Sequence, residues 1–147
     1  MRDLAVDRPR HIAPMSAMAI DQVARLEDAS LAHMPQVQIP VDHCLHAGLY
    51  QRTIMIPAGV VLTGALIKIA TLLIVAGDCI VHTEGGPIEL HGYHVLQASA
   101  GRKQAFVALT DTHLTMLFPT SAGTVEEAER QFTDEHERLQ NRRSKEA

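Results

Sequence analysis

Tryptophan is absent from this chain, and aromatic residues make up only 3% of it. So few rings give no stacking platform for bases or sugars. Cysteine is almost as scarce. Cys44 and Cys79 lie far apart and form no CxxC, which excludes a thiolate knuckle and leaves two free thiols as the expectation. Positive charge is not in excess either. Thirteen Lys and Arg stand against seventeen Asp and Glu, for a net charge of −4. Phosphate binding needs clustered cations, so no nucleic-acid partner is expected. Long apolar runs are missing too. The most apolar window, residues 60–76, is interrupted by Gly64 and Lys68. It is too short and broken for a span of roughly 20 apolar residues, so no membrane partner is expected. Near the N-terminus Arg2 and Arg8 precede no apolar stretch, so no signal peptide is expected.

Motifs of common chemistries are missing as well. There is no GxSxG, no HExxH and no glycine-rich phosphate loop. Gly85-Gly86 precedes Pro87 and a short strand, which makes it a turn. His43 and His46 form an HxxH, but on a strand residues three apart face opposite ways.

What is present suits one soluble domain with one core. Hydrophobic residues are 46% of the chain and charged ones 20%. Residues 56–120 organise it. They carry seven charges, at Lys68, Asp78, Glu84, Glu89, Arg102, Lys103 and Asp111, mostly beside turns. Strands are expected over residues 49–56, 60–69, 71–76, 79–83, 88–90, 95–97, 104–109 and 113–118. Gly59, Gly77-Asp78, Glu84–Pro87, Gly92, Gly101 and Thr110-Asp111 separate them. Many short, regularly spaced strands predict a sandwich or barrel.

The flanks differ from this core. Residues 1–15 read as an extended arm, with Pro9, Pro14 and no apolar periodicity. Ser16 caps a helix over residues 16–34. Its stripe is Ile20, Val23, Ala24, Leu31 and Met34, with Glu27 intruding. Residues 36–120 form the barrel, and 36–39 between Pro35 and Pro40 suit a sheet edge. Residues 121–147 form a charged helical segment. Thr124 and Glu127 make its capping box. Arg138, Arg142, Arg143 and Lys145 gather at its far end, and Thr133-Asp134 is a point where it breaks or bends.

The order of a short strand, Ile56-Pro57-Ala58-Gly59, two apolar strands, Gly77-Asp78 and later Ser99-Ala100-Gly101 resembles the cupin superfamily. Gly48-Leu49-Tyr50 through Gly59, with Phe118-Pro119-Thr120, is similar to small cupin-like proteins of tailed phages and prophages. The resemblance implies an all-β fold with flanking helices: a cupin-type antiparallel jelly-roll barrel with an N-terminal arm and helix and a C-terminal helix. It also implies a location in the host cytoplasm or the virion. Cupin enzymes hold a divalent metal through histidines on the first-motif strands and after the second-motif turn. Here those positions fall on Ala65 and Ile67, or in the phage-type pattern near Ile67 and Thr71, and on Gln104. None is a good ligand. The metal motif is degenerate, so no metal and no cofactor are expected.

Strand parity then sorts the side chains. Ala65, Ile67, Thr71, Leu73, Gln104 and Phe106 are expected to line an apolar, uncharged cup. No carboxylate pair points into it for acid–base work. Val60, Leu62, Leu66, Ala105 and Val107 take the opposite parity and are the expected oligomer interface. Three functions follow. The first is a non-catalytic, metal-free homo-oligomer, dimer or higher, serving as a phage virion cement, decoration or assembly component that also touches other virion proteins. The second is a module binding a small apolar ligand in the cup. The third is a metalloenzyme whose site has moved to His91 and His94, with His82 or His113 joining them.

Overall fold

The computed structural model describes residues 10–139. The expectations for Arg2, Arg8, Pro9, Arg142, Arg143 and Lys145 lie outside these residues.

The arm begins with β1 (His11–Ile12), which is tied down on its own chain. It runs parallel to a later strand, with Ile12 opposite Ala98 and fully buried. The Ser99 and Gln97 amides donate to the Ile12 and Arg10 carbonyls. Helix α1 (Ala17–His33) follows, and Ser16 accepts from the Ala19 amide as its N-cap. Residues 36–39 form no strand; the sheet edge is β2 (Val41–His46) instead. Ala47-Gly48 then turns the chain with both residues at positive φ, the geometry of a two-residue hairpin loop.

From there the chain is a long hairpin folded over itself. Its strands are β3 (Leu49–Ile56), β4 (Val61–Thr63), β5 (Thr71–Ala76), β6 (Cys79–Thr83), β7 (Gly86–Leu90), β8 (Tyr93–Ala98), β9 (Ala105–Ala108) and β10 (Thr112–Pro119). They nest in antiparallel pairs: β6 with β7, β5 with β8, β4 with β9 and β3 with β10. The folding yields two sheets, ordered β1-β8-β5-β10-β3-β2 and β4-β9-β6-β7. Nested pairs divided between two facing sheets make a jelly roll, as the resemblance implies. Gly77 is needed at the β5–β6 turn. Its φ is 140°, and an added Cβ would lie 2.6 Å from the Thr112 hydroxyl oxygen.

The expected strand over residues 60–69 is broken. β4 ends at Thr63, and Gly64 donates to the Gln104 carbonyl. Beyond it only Ile67 bridges, to Arg102. The parity count therefore fails across Gly64. Leu62 turns inward and is buried, whereas Val61 faces out.

After β10 comes α2 (Val125–Phe132), capped by Thr124 through the Glu127 amide. It stops at Thr133, at the point where a break was expected. A 3₁₀ turn (His136–Arg138) follows. The core lies between the sheets and takes Phe132 and Leu139 from this segment.

Candidate functional site

Between the sheets lies a cavity of about 120 Å³. Its apolar wall includes Ile67, Leu73, Phe106, Leu114 and Met116, contributed by both sheets. Of the expected cup residues, Ala65, Ile67, Leu73, Gln104 and Phe106 line it. Thr71 stands behind the wall, where its hydroxyl accepts from the Arg102 guanidinium at 2.8 Å.

The interior is not free of charge, which corrects the expected uncharged cup. Arg52, Arg102, Glu27 and Arg138 reach the cavity. Arg102 is buried and donates to the Ser99 carbonyl as well as to Thr71. Burial pulls its pKa down to about 10. Arg52 lies 3.5 Å from Glu129, which is fully buried, and its guanidinium sits 5.9 Å from the Phe132 ring centre. A buried carboxylate requires such a partner.

Beside the cavity, groups from distant parts of the chain form a cluster of paired charges. Lys103 is only 2% exposed. Its ammonium donates to Glu27 of α1 at 3.2 Å, to Glu135 at 2.9 Å and to the Gly64 carbonyl at 2.9 Å. Arg138 donates to the other oxygen of Glu27 at 2.7 Å. The Leu66 amide donates to Glu135 at 2.6 Å, and the Thr133 hydroxyl donates to the Leu66 carbonyl at 2.7 Å. Burial alone would raise the Glu135 pKa. The Leu66 amide, Lys103 and Arg138 outweigh it and hold the carboxyl below its ordinary value.

Phe132 anchors the C-terminal segment that carries Glu135 and Arg138. Its ring stacks on Tyr50 at 6.3 Å and tilts against Phe118 at 6.1 Å. Tyr50 in turn pairs its hydroxyl with His43 at 2.7 Å. His43 and His46 do alternate on β2, as strand geometry requires.

The expected oligomer interface is corrected in part. Leu62 lines the cavity, and Ala105 is buried beneath α1 with Met15 and Val23. Neither has a side chain to offer a partner. Val60 packs on the core, and Leu66 is occupied by Thr133 and Glu135 through its backbone. Val107 stays half-exposed between Val61 and Ile80.

The fallback histidines do not converge. His94 is buried, and its Nε2 meets the His91 backbone carbonyl at 2.9 Å, not the His91 ring. The His91 ring is exposed beside Asp78 and Glu89. His82 and His113 are exposed on separate strands. Among the described residues no three His, Cys, Asp or Glu side chains gather where they would grip a cation. The thiols are separate too: Cys44 is exposed, and Cys79 is buried with its pKa pushed up to about 11 by burial and by Asp78.

The arrangement therefore offers a small, mostly apolar volume bordered by paired charges. Sequence reasoning missed Glu27, Lys103, Glu135 and Arg138. Glu27 did leave a signal, as a carboxylate interrupting the apolar stripe of α1.

No family model matches the chain, and no curated protein does. Solved structures similar to it include cupin proteins. One is a cupin superfamily protein from Desulfitobacterium hafniense, 16% identical, covering 63% of this chain and 87% of that one, TM-score 0.48. Another is the Cupin_2 domain of an XRE family transcriptional regulator from Enterobacter cloacae, 12% identical, covering 56% and 99%, TM-score 0.45. A third is ectoine synthase from P. lautus, 16% identical, covering 65% and 74%, TM-score 0.46. These likenesses concern the fold and say nothing of activity. The fold is a cupin-type jelly roll with flanking helices, and the nested strand pairs carry that assignment.

Proposed function

We propose that this chain is a non-catalytic, metal-free cupin-like protein that acts through contacts, as a homo-oligomer. We further propose that it is phage-encoded and serves a virion or its assembly. One observation carries the reading: the outer face of the six-stranded sheet is apolar at its centre. Leu72 and Ile74 of β5 point outward there, with Leu117 of β10 opposite Leu72, Val95 of β8 opposite Ile74 and Tyr93 opposite Ala76. Leu72 is 47% exposed, Val95 44% and Tyr93 55%. A contiguous apolar sheet face exposed to water marks an interaction surface. The proposed occupant is a second copy, since the patch carries no charge for a partner of opposite sign to read, and most oligomers pair one such face with itself. The proposed interface is therefore this sheet face, in place of the one carrying Val60, Leu62, Leu66, Ala105 and Val107.

Size-exclusion chromatography with light scattering tests it. The wild type is expected to run as a dimer or larger at micromolar concentration. Leu72→Lys with Val95→Lys is expected to give a folded monomer. A monomeric wild type sinks the proposal. The virion role predicts that the protein co-purifies with particles induced from its host, read by mass spectrometry.

The cavity favours a second reading, a module for a small apolar ligand.

A further inference from the structure

We infer that the free edge of β4, with the groove beside the end of α1, docks an extended, uncharged peptide segment of another protein. The segment adds there as a further strand of the four-stranded sheet. The site lies apart from the outer face of the six-stranded sheet and does not rest on the oligomer proposed there.

Main-chain hydrogen bonding comes first. Leu62 stands opposite Phe106, Val61 opposite Val107 and Thr63 opposite Ala105. The Gly64 amide donates to the Gln104 carbonyl, and the Ala108 amide donates to the Val60 carbonyl. Bonded pairs alternate along an antiparallel ladder. Residues 60, 62 and 64 therefore turn their main chain toward β9, and Val61 and Thr63 turn theirs away. No strand lies on that side, because β4 ends the sheet. Among the described residues, nothing takes up the outward main-chain groups of Val61 and Thr63. They offer two donors and two acceptors at the spacing that an added strand meets.

Other sheet ends are guarded against such pairing. Thr83 pairs with Gly86 across a two-residue turn, so the outward main chain of β7 belongs to Pro87 and Glu89. One has no amide and the other is charged. β2 carries Asp42 and His46 on its exposed face. Proline and charge are the usual means of blunting a free edge. β4 has neither, since it consists of Val61, Leu62 and Thr63.

The groove comes next. It has a volume of about 230 Å³ and runs beside β4. Leu31 and Met34 from α1, Val37 from the connection to β2, and Val61 itself line it. These four are between 40% and 52% exposed. Apolar side chains gathered on one open groove mark an interaction site. The stretch first read as a sheet edge, residues 36–39, borders the groove and pairs with no strand. The place beside β4 is left open.

Charge and main chain then set the class of occupant. Glu27 is the one charged residue among those described in the groove wall. Both its oxygens are already engaged, by Lys103, Arg138 and the Thr63 hydroxyl. A charged side chain set against Leu31 and Met34 would lose water and gain no partner. A helix would satisfy its own main chain and leave Val61 and Thr63 open. An extended segment with aliphatic residues at alternate positions meets both demands. A second copy would have to withdraw one of its own strands to supply it.

The test is an amide-detected NMR titration of the full chain with a blocked pentapeptide of alternating threonine and valine. Saturable shifts are expected at Val61 and Thr63, with slowed hydrogen exchange of both amides. The N-methylated peptide keeps the side chains and loses the donors, and should bind about tenfold more weakly. A version with lysine for valine should not bind. Leu31→Lys with Met34→Lys should abolish binding, and both positions are exposed, so the fold is kept. Leu72→Lys with Val95→Lys, which splits the proposed oligomer, should bind the peptide as the wild type does. No saturable shift at Val61 and Thr63 overturns the site. Equal binding of the N-methylated peptide overturns strand addition, and equal binding of the lysine peptide overturns the uncharged class. Dissociation of a wild-type oligomer by the peptide, read by light scattering, would show that a second copy fills the groove and would overturn the foreign source.

Discussion

Helix α1 and the C-terminal segment both leave the barrel and dock back on it, yet they dock in opposite ways. The longer helix is the more apolar by sequence, but among its residues only Val23 and Glu27 are buried. Met18, Leu26, Leu31 and Met34 remain exposed around it. The short and strongly charged α2 buries Ala128, Glu129 and Phe132, and Thr133 and Leu139 follow them in. Apolar content does not decide which flank joins the core. Register does: one aromatic ring delivered between Tyr50 and Phe118 anchors more than an exposed stripe of leucine and methionine.

The comparison breaks most readily at Phe132. Phe132→Ala is expected to cost about 3–5 kcal/mol in urea unfolding, because it empties a packed aromatic site and enlarges the cavity. Val23→Ala should cost less than half as much. If the two cost the same, the flanks do not differ as described.

Next in size is the charge cluster. Lys103→Met leaves Glu27 and Glu135 facing each other without their shared cation, expected to cost about 3 kcal/mol. Glu27→Leu added to it should recover part of the loss, since an apolar pair replaces a half-broken ionic one. A double variant weaker than the single one would show that the cluster is not a unit.

A smaller effect is expected from acid. The Glu135 carboxyl is held below its ordinary value of 4.5 in the folded chain by the Leu66 amide, Lys103 and Arg138, with Glu27 sharing the same Lys103 ammonium. A folded pKa below the unfolded one adds stability that is full above the unfolded value and disappears as pH falls through the folded one. Hydrogen exchange of residues 133–139 should therefore accelerate below about pH 4.5, before the sheets open. Glu135→Gln should flatten that dependence. Exchange that stays constant down to global unfolding would contradict it.

Smallest of all is the outer stripe of α1. Leu31→Ala and Met34→Ala are expected to shift stability by no more than about 0.5 kcal/mol, as surface changes do. A larger loss would mean that this face is covered, and light scattering of the same variants would show whether a second copy covers it.

Much of the barrel was legible because strand signals are local. Thr71–Ala76 and Cys79–Thr83 appear with the expected bounds, each flanked by turn residues and alternating between buried and exposed. The cap at Ser16 and the stop at Thr133 were equally legible, since capping side chains act within one turn. The stretch around Gly64 was not. A break there is made by Gln104 and Arg102 pairing from across the fold, and no neighbour in sequence announces it. The charge cluster was hidden for the same reason. Lys103 and Arg138 lie 76 and 111 positions from the Glu27 they hold.

By itself, then, the order of residues determined where most of the barrel strands lie, which alternate side chains share a face within an unbroken strand, and how both helices start. Those features depend on backbone preference and spacing over a few residues. Only the tertiary structure decided which apolar face became the interior, and that paired charges would border the cavity. Burial is set by what returns from far along the chain, and opposite charges find each other only once the sheets have brought them within reach.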